Sequence, residues 1–102
     1  MSWRREFPED YAVPAEIEAM VAEGRWRDQS WHNDACPSFD SDEAARRLWV
    51  EHPDPAMRET EGLRYAVFAL NEYHAHADDD PIYYGDDIND ALRAMARAEA
   101  TA

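Results

Sequence analysis

The run Leu63-Arg64-Tyr65-Ala66-Val67-Phe68-Ala69-Leu70 is the strongest strand candidate in this chain, dense in aliphatic and aromatic side chains. A lone strand leaves its main-chain donors and acceptors unpaired, so this run commits the chain to a sheet. Its nearest partner is Leu48-Trp49-Val50, which predicts a strand over Arg47 to His52 pairing antiparallel with it. The breaker Pro53-Asp54-Pro55 and a polar connection separate the two. Asp40 to His52 also admits a helix, capped by Asp40 or Ser41 with Ala44, Ala45, Leu48 and Trp49 on one face; the strand is the preferred reading. Ile82-Tyr83-Tyr84 reads as a further short strand. Arg25 to Phe39 reads as a short strand running into an ordered loop, anchored by Trp26 and Trp31 and turned by Asn33-Asp34 and Pro37.

Helical periodicity appears twice. Ile17, Met20 and Val21 keep the spacing of one helix face, Pro14 suits a first helical position and Gly24 a terminus, which predicts a helix from about Pro14 to Glu23. After Gly85, Ile88, Leu92 and Met95 follow a 3.6 period with Ala91 beside them. Asp86, Asp87 and Asp90 lie near the start of this helix, Arg93 and Arg97 toward its end. A chain of 102 residues has room for one core. The expectation is a single small acidic α+β domain over 1–102: a short N-terminal helix, an antiparallel sheet of three or four strands, and a C-terminal helix packed on the sheet. Residues 1–13 form an arm without a clear period, pinned by Trp3, Phe7 and Tyr11.

Charge restricts function more sharply. Twenty-three Asp and Glu face ten Arg and no Lys, a net −13 at pH 7. Such a surface repels polyanions, which argues against direct nucleic-acid binding and against an anionic membrane as partner. The excess is uneven: residues 1–24 carry −4, 25–64 carry −3, and 71–90 carry −7 with no positive residue. Glu72, Asp78, Asp79, Asp80, Asp86, Asp87 and Asp90 supply that stretch. One reading assigns Asp86, Asp87 and Asp90 to the helix start and Asp78-Asp79-Asp80 to a solvated turn. The functional reading makes Glu72 to Asp90 a negative surface that docks on a basic protein, such as a nucleic-acid-binding one, with fast and salt-sensitive association. In size and charge the chain resembles the small acidic inhibitors of phages and mobile elements, including DNA-mimicking anti-restriction and anti-CRISPR proteins. That resemblance implies an inhibitory or regulatory role and carries no residue correspondence.

The run Ser30 to Phe39 holds the densest set of reactive side chains. In a strand, Ser30, His32 and Asp34 would share one face with Cys36 close by, yet neighbours on one strand run parallel and seldom form a nucleophile-base pair. The expectation is a turn made by Asn33 and Asp34, with Trp31, Cys36 and Phe39 buried, serving as a binding loop. A metal set can be drawn from His32, Cys36, His74 and His76, but no paired C-x-x-C or H-E-x-x-H spacing is present, and no metal or other cofactor is expected. A small metal-dependent enzyme using His32, Asp34, Cys36, His74 and His76 is the alternative function. Without a metal, the carboxylates around His74 and His76 predict upward-shifted imidazoles.

The adjacent Arg residues Arg4-Arg5, Arg25/Arg27 and Arg46-Arg47 read as internal ion pairs. Leu48, Val50, Tyr65, Val67 and Phe68 read as core. Four Trp are too many for all to be fully buried, so one or two face a partner, either another protein or a second copy in a homodimer; as the alternative to its burial in the loop, Trp31 is the partner-binding candidate. A single Cys gives no sign of an oxidising compartment, and acidic residues follow Arg4-Arg5 where an export signal needs an apolar run. A cytoplasmic setting is the expectation.

Overall fold

The computed structural model describes residues 2–58 and 62–96. In chain order it contains α1 (Trp3–Glu6), a 3-10 turn (Glu9–Tyr11), α2 (Ala15–Ala22), β1 (Arg27–Asp28), β2 (Ser38–Ser41), β3 (Arg46–Val50), a second 3-10 turn (Pro55–Met57), β4 (Tyr65–Ala69), β5 (Tyr83–Gly85) and α3 (Ile88–Met95). The strands form one antiparallel meander in the order β1-β2-β3-β4-β5. The fold is α+β with a C-terminal helix against the sheet, as the sequence predicts, but the sheet has five strands rather than three or four.

The additional strand is β2, and its absence from the sequence reading has a physical cause. Ser38-Phe39-Asp40-Ser41 has a single apolar residue, yet all four positions are buried. Phe39 fills the core, while Asp40 is held on the opposite face by both Nε and a terminal nitrogen of Arg47, at 2.6 and 2.9 Å. The Ser38 amide donates to Ser30 Oγ. Polar strand residues survive burial here because their partners come from elsewhere in the chain, which no local periodicity reports. Ser41 caps no helix; its Oγ accepts from the Ala44 amide in the tight turn to β3, where Ala45 adopts a left-handed φ of 55°.

Register divides the sheet into two faces. Phe39 pairs with Leu48 and Leu48 with Val67; Val50 pairs with Tyr65. Alternation places these on one face, where they meet Trp3, Ile17, Trp26, Ala91 and Met95 in a single core. On the other face the rows are Arg27, Asp40, Arg47, Phe68 and Ser38, Trp49, Ala66, Tyr84. Phe68 is therefore not a core residue of the kind expected, because it lies one position out of phase with Val67.

The helices end where their sequences dictate. Pro14 precedes α2 in an extended conformation rather than occupying its first turn, and its carbonyl accepts from Ile17 and Glu18. Gly24, at φ 75°, stops the helix, with Arg25 and Trp26 amides turning back to the Met20 carbonyl. Asp87 caps α3 by accepting from the Asn89 and Asp90 amides. At the other end of α3, Arg46 donates to the carbonyls of Ala94 and Ala96. Arg97 lies outside the described residues. The arm contains the helical turn α1, which the sequence reading did not anticipate. It is pinned as expected by buried Trp3 and Phe7, and the Trp3 amide also donates to Asp28.

Candidate partner-binding surface

Residues 71–80 form a loop between β4 and β5 in which every position is exposed. Asn71 organises its first half: Oδ1 accepts from the Tyr73 and Ala75 amides, and the main chain closes through an Asn71 to Ala75 bond and a Leu70–His76 bridge. His74 takes a left-handed φ of 60°. Its carbonyl accepts from Arg47, which ties the loop to the sheet's outer face. In the second half Asp78 accepts from the Asp80 amide, and Pro81 leads into β5.

The acidic stretch divides by use. Asp87 is the cap of α3, Asp90 pairs with Arg93, and Asp86 accepts from the Arg64 amide with the Arg58 guanidinium 3.8 Å away. Among the described residues Glu72, Asp79 and Asp80 make no side-chain hydrogen bond or ion pair, and Asp78 makes only its turn bond. The loop thus holds four carboxylates whose charge has no counter-cation there. Three of the Arg residues pair with carboxylates elsewhere, Arg4 with Glu18, Arg27 with Asp42 and Arg47 with Asp40; Arg47 reaches the loop only at the His74 carbonyl.

His74 and His76 do not share a face of an extended segment. The His76 ring stacks on Phe68 at 4.0 Å, nearly parallel, and its Nε2 accepts from the Trp49 indole N–H at 3.1 Å. Partial desolvation of the ring where it packs on Phe68 and Trp49, together with the Arg47 guanidinium, pushes the His76 imidazole below its ordinary value. This reverses the upward shift expected from the neighbouring carboxylates, because the ring turns onto the sheet and away from them.

The loop 29–37 also departs from the strand-like alignment. Ser30 is buried, whereas His32 is exposed and bonds Glu6 at 2.8 Å, holding that carboxyl below the usual range. Cys36 and Phe39 are buried as expected. Trp31 is not: it is 42% exposed with its ring 4.4 Å from that of His32. Trp3 and Trp26 are in the core, and Trp49 lies partly covered on the outer face. Among the described residues no group of three or more His, Cys, Asp and Glu is placed to hold a metal ion, so the set drawn from His32, Cys36, His74 and His76 does not assemble. Among the same residues no helix is long and apolar enough to cross a membrane.

The feature the sequence reading missed lies on the outer face. A cavity of about 320 Å³ is lined by Trp49, Ala66 and Phe68 of the sheet, Asp34 and Cys36 of the loop 29–37, and Tyr84 of β5. His76 flanks it. The signal was available: period-two alternation sets Trp49 opposite Leu48 and Val50, and Phe68 opposite Val67. That Trp49 meets both the loop 29–37, through the cavity, and the acidic loop, through His76, depends on the pairing of distant strands.

Compared with family models, curated proteins and solved structures, the chain matches none significantly.

Proposed function

We propose that this chain is a non-enzymatic acidic binding module that docks its negative surface, Glu72 to Asp90, on a basic protein in the cytoplasm and inhibits or regulates it. A nucleic-acid-binding protein fits the role best, since its phosphate-binding groove is a large basic surface to which such a field is complementary. The observation that carries the reading is the unneutralised carboxylate set of the 71–80 loop. A folded chain this acidic gains nothing in stability from four like charges on one loop, whereas a basic partner gains both steering and contact from them. Exposed Trp31 adds an aromatic anchor to the surface.

The test is capture from a nuclease-treated lysate of the native host on immobilised protein, washed at about 0.1 M and then about 1 M salt, across which the screening length falls from roughly 10 Å to 3 Å. A basic protein held at the lower salt, released at the higher, and lost with the triple variant Asp78→Asn, Asp79→Asn, Asp80→Asn is the expected result. Capture indifferent to salt and to the triple variant, or no basic protein captured, would overturn the proposal.

A further inference from the structure

The strand order leaves β1 and β5 at the two edges of the sheet. The β1 edge is two residues long and the arm is tied to it, the Trp3 amide donating to Asp28. Beyond β5 no strand pairs among the described residues.

The hydrogen-bond pattern fixes which way the β5 main chain points. The Leu70 amide donates to Ala45 and the Arg64 carbonyl accepts from Glu51, so the even-numbered residues of β4 turn their main chain toward β3. The odd-numbered ones face β5, as the Val67 carbonyl does in accepting from the Ile82 amide. Tyr83 and Gly85 are the partners of Val67 and Tyr65, so Tyr84 between them turns its N–H and C=O to the open edge. Its side chain is 50% exposed, and that of Ile82, just ahead of β5, is 46% exposed. Outward main-chain groups beside uncovered apolar side chains make a template for a further strand.

Charge decides which strand. Asp78, Asp79 and Asp80 precede β5, and Asp86 and Asp87 follow it. A second copy pairing antiparallel about Tyr84 would set Asp86 opposite Ile82 and Asp87 opposite Pro81, crowding Asp80, Asp86 and Asp87 of both copies at the ends of the joint. Like charges so placed oppose the pairing, and Arg58, 3.8 Å from Asp86, offsets only part of them. An extended segment with a short β-branched centre and basic ends meets the reverse situation. Its main chain pairs with Tyr84, its centre covers Ile82 and Tyr84, and its ends face the two Asp groups.

We infer that the open edge of β5 accepts an extended basic segment of the partner protein as an added strand, seated on the main chain of Tyr84. This inference rests on the acidic-surface reading for the existence of that partner, and it adds the mode of docking.

The test uses the full chain and two capped heptapeptides: acetyl-Arg-Arg-Thr-Val-Thr-Arg-Arg-amide, and the same peptide N-methylated at its three central residues. They carry equal charge, but the second lacks the central main-chain donors. Heteronuclear NMR follows the amides of Tyr83 to Gly85. The first peptide is expected to move them saturably in the millimolar range and the methylated one to bind at least about fivefold more weakly. Tyr84→Pro removes the outward N–H and spares the bonds to β4, and should weaken the first peptide at least about fivefold. Tyr84→Val loses the hydroxyl that accepts from the Leu63 amide but keeps its own N–H, and should bind within about threefold of the native chain. Equal affinity for the two peptides, no saturable shift, or Tyr84→Pro behaving as Tyr84→Val would overturn the inference; the two peptides on the native chain decide it alone if Tyr84→Pro does not fold. A dimer in sedimentation that Tyr84→Pro dissolves would also overturn it, since a second copy would then hold the edge. Capture from lysate separates the two readings. If the triple loop variant loses the captured protein while Tyr84→Pro keeps it in full, the acidic surface stands and the edge assignment falls; if the peptides behave as expected and no basic protein is captured, the failure lies in the acidic-surface reading.

Discussion

Replacing Asp40 by Asn tests whether the polar strand β2 is held by its cross-strand ion pair. Asp40 is 1% exposed, and its two oxygens accept from Arg47 at 2.6 and 2.9 Å. That bond raises the Arg47 pKa further, so the guanidinium stays charged when the carboxylate is removed. Breaking a fully buried pair from one side costs about 3–5 kcal/mol. Arg47 retains 18% exposure, a bond to the His74 carbonyl, and one acceptor on the new amide, which lowers the expectation to about 2–4 kcal/mol. A domain of this size has roughly 5–15 kcal/mol in total, so the loss is a large part of it. Urea denaturation followed by tryptophan fluorescence should show a midpoint lowered by about 1–3 M at unchanged slope. Asp42→Asn is the control. It removes an equally short bond to Arg27, but both side chains are about half exposed, and the cost should stay below about 1 kcal/mol. Equal midpoints for the two variants would refute the argument that burial, rather than geometry, sets the value of the Asp40–Arg47 pair.

Two further outcomes follow from the geometry. His76 should titrate below the ordinary 6.5 in an NMR pH series, and the Trp49 indole resonance should move with the same midpoint. Because the folded value is the lower one, the unfolded chain binds the proton first; the contribution of His76 to stability is complete above the ordinary histidine range and is lost as pH falls through the folded value. A midpoint above 6.5 would mean that the acidic loop, not Phe68 and Arg47, governs the ring. Asp87→Ala should cost about 1 kcal/mol and speed amide exchange in the first turn of α3, since two amides lose their acceptor. Asp79→Ala, which removes no bond, should leave both readouts unchanged.

Local signals made some of this fold legible and concealed the rest. The α3 helix was readable because its apolar period, its capping Asp87 and the break at Gly85 agree with one another. The β3 and β4 strands were readable because Leu48-Trp49-Val50 and Tyr65-Ala66-Val67-Phe68 carry enough apolar surface to require a sheet. The arm's helical turn and β2 were not, because Asp28 anchors the first from twenty-five positions away and Arg47 the second from the neighbouring strand. For the candidate surface, the acidic residues were visible as a list. Their division into capping, paired and unneutralised groups was not, since Arg58 and Arg64 reach Asp86 from more than twenty positions away.

By itself the sequence determined the class of fold, the position of the final helix and the sign of the surface, because periodicity, capping and net charge are properties of neighbours or of totals. Only the tertiary structure decided which face each aromatic occupies, that His76 turns onto Phe68, and that Trp49, Phe68 and Tyr84 gather with Asp34 and Glu51 around one cavity. Those facts depend on the register of five paired strands and on loops returning across their outer face. A one-residue slip in that register would place Trp49 and Phe68 in the core and expose Leu48 and Val67, leaving the composition unaltered.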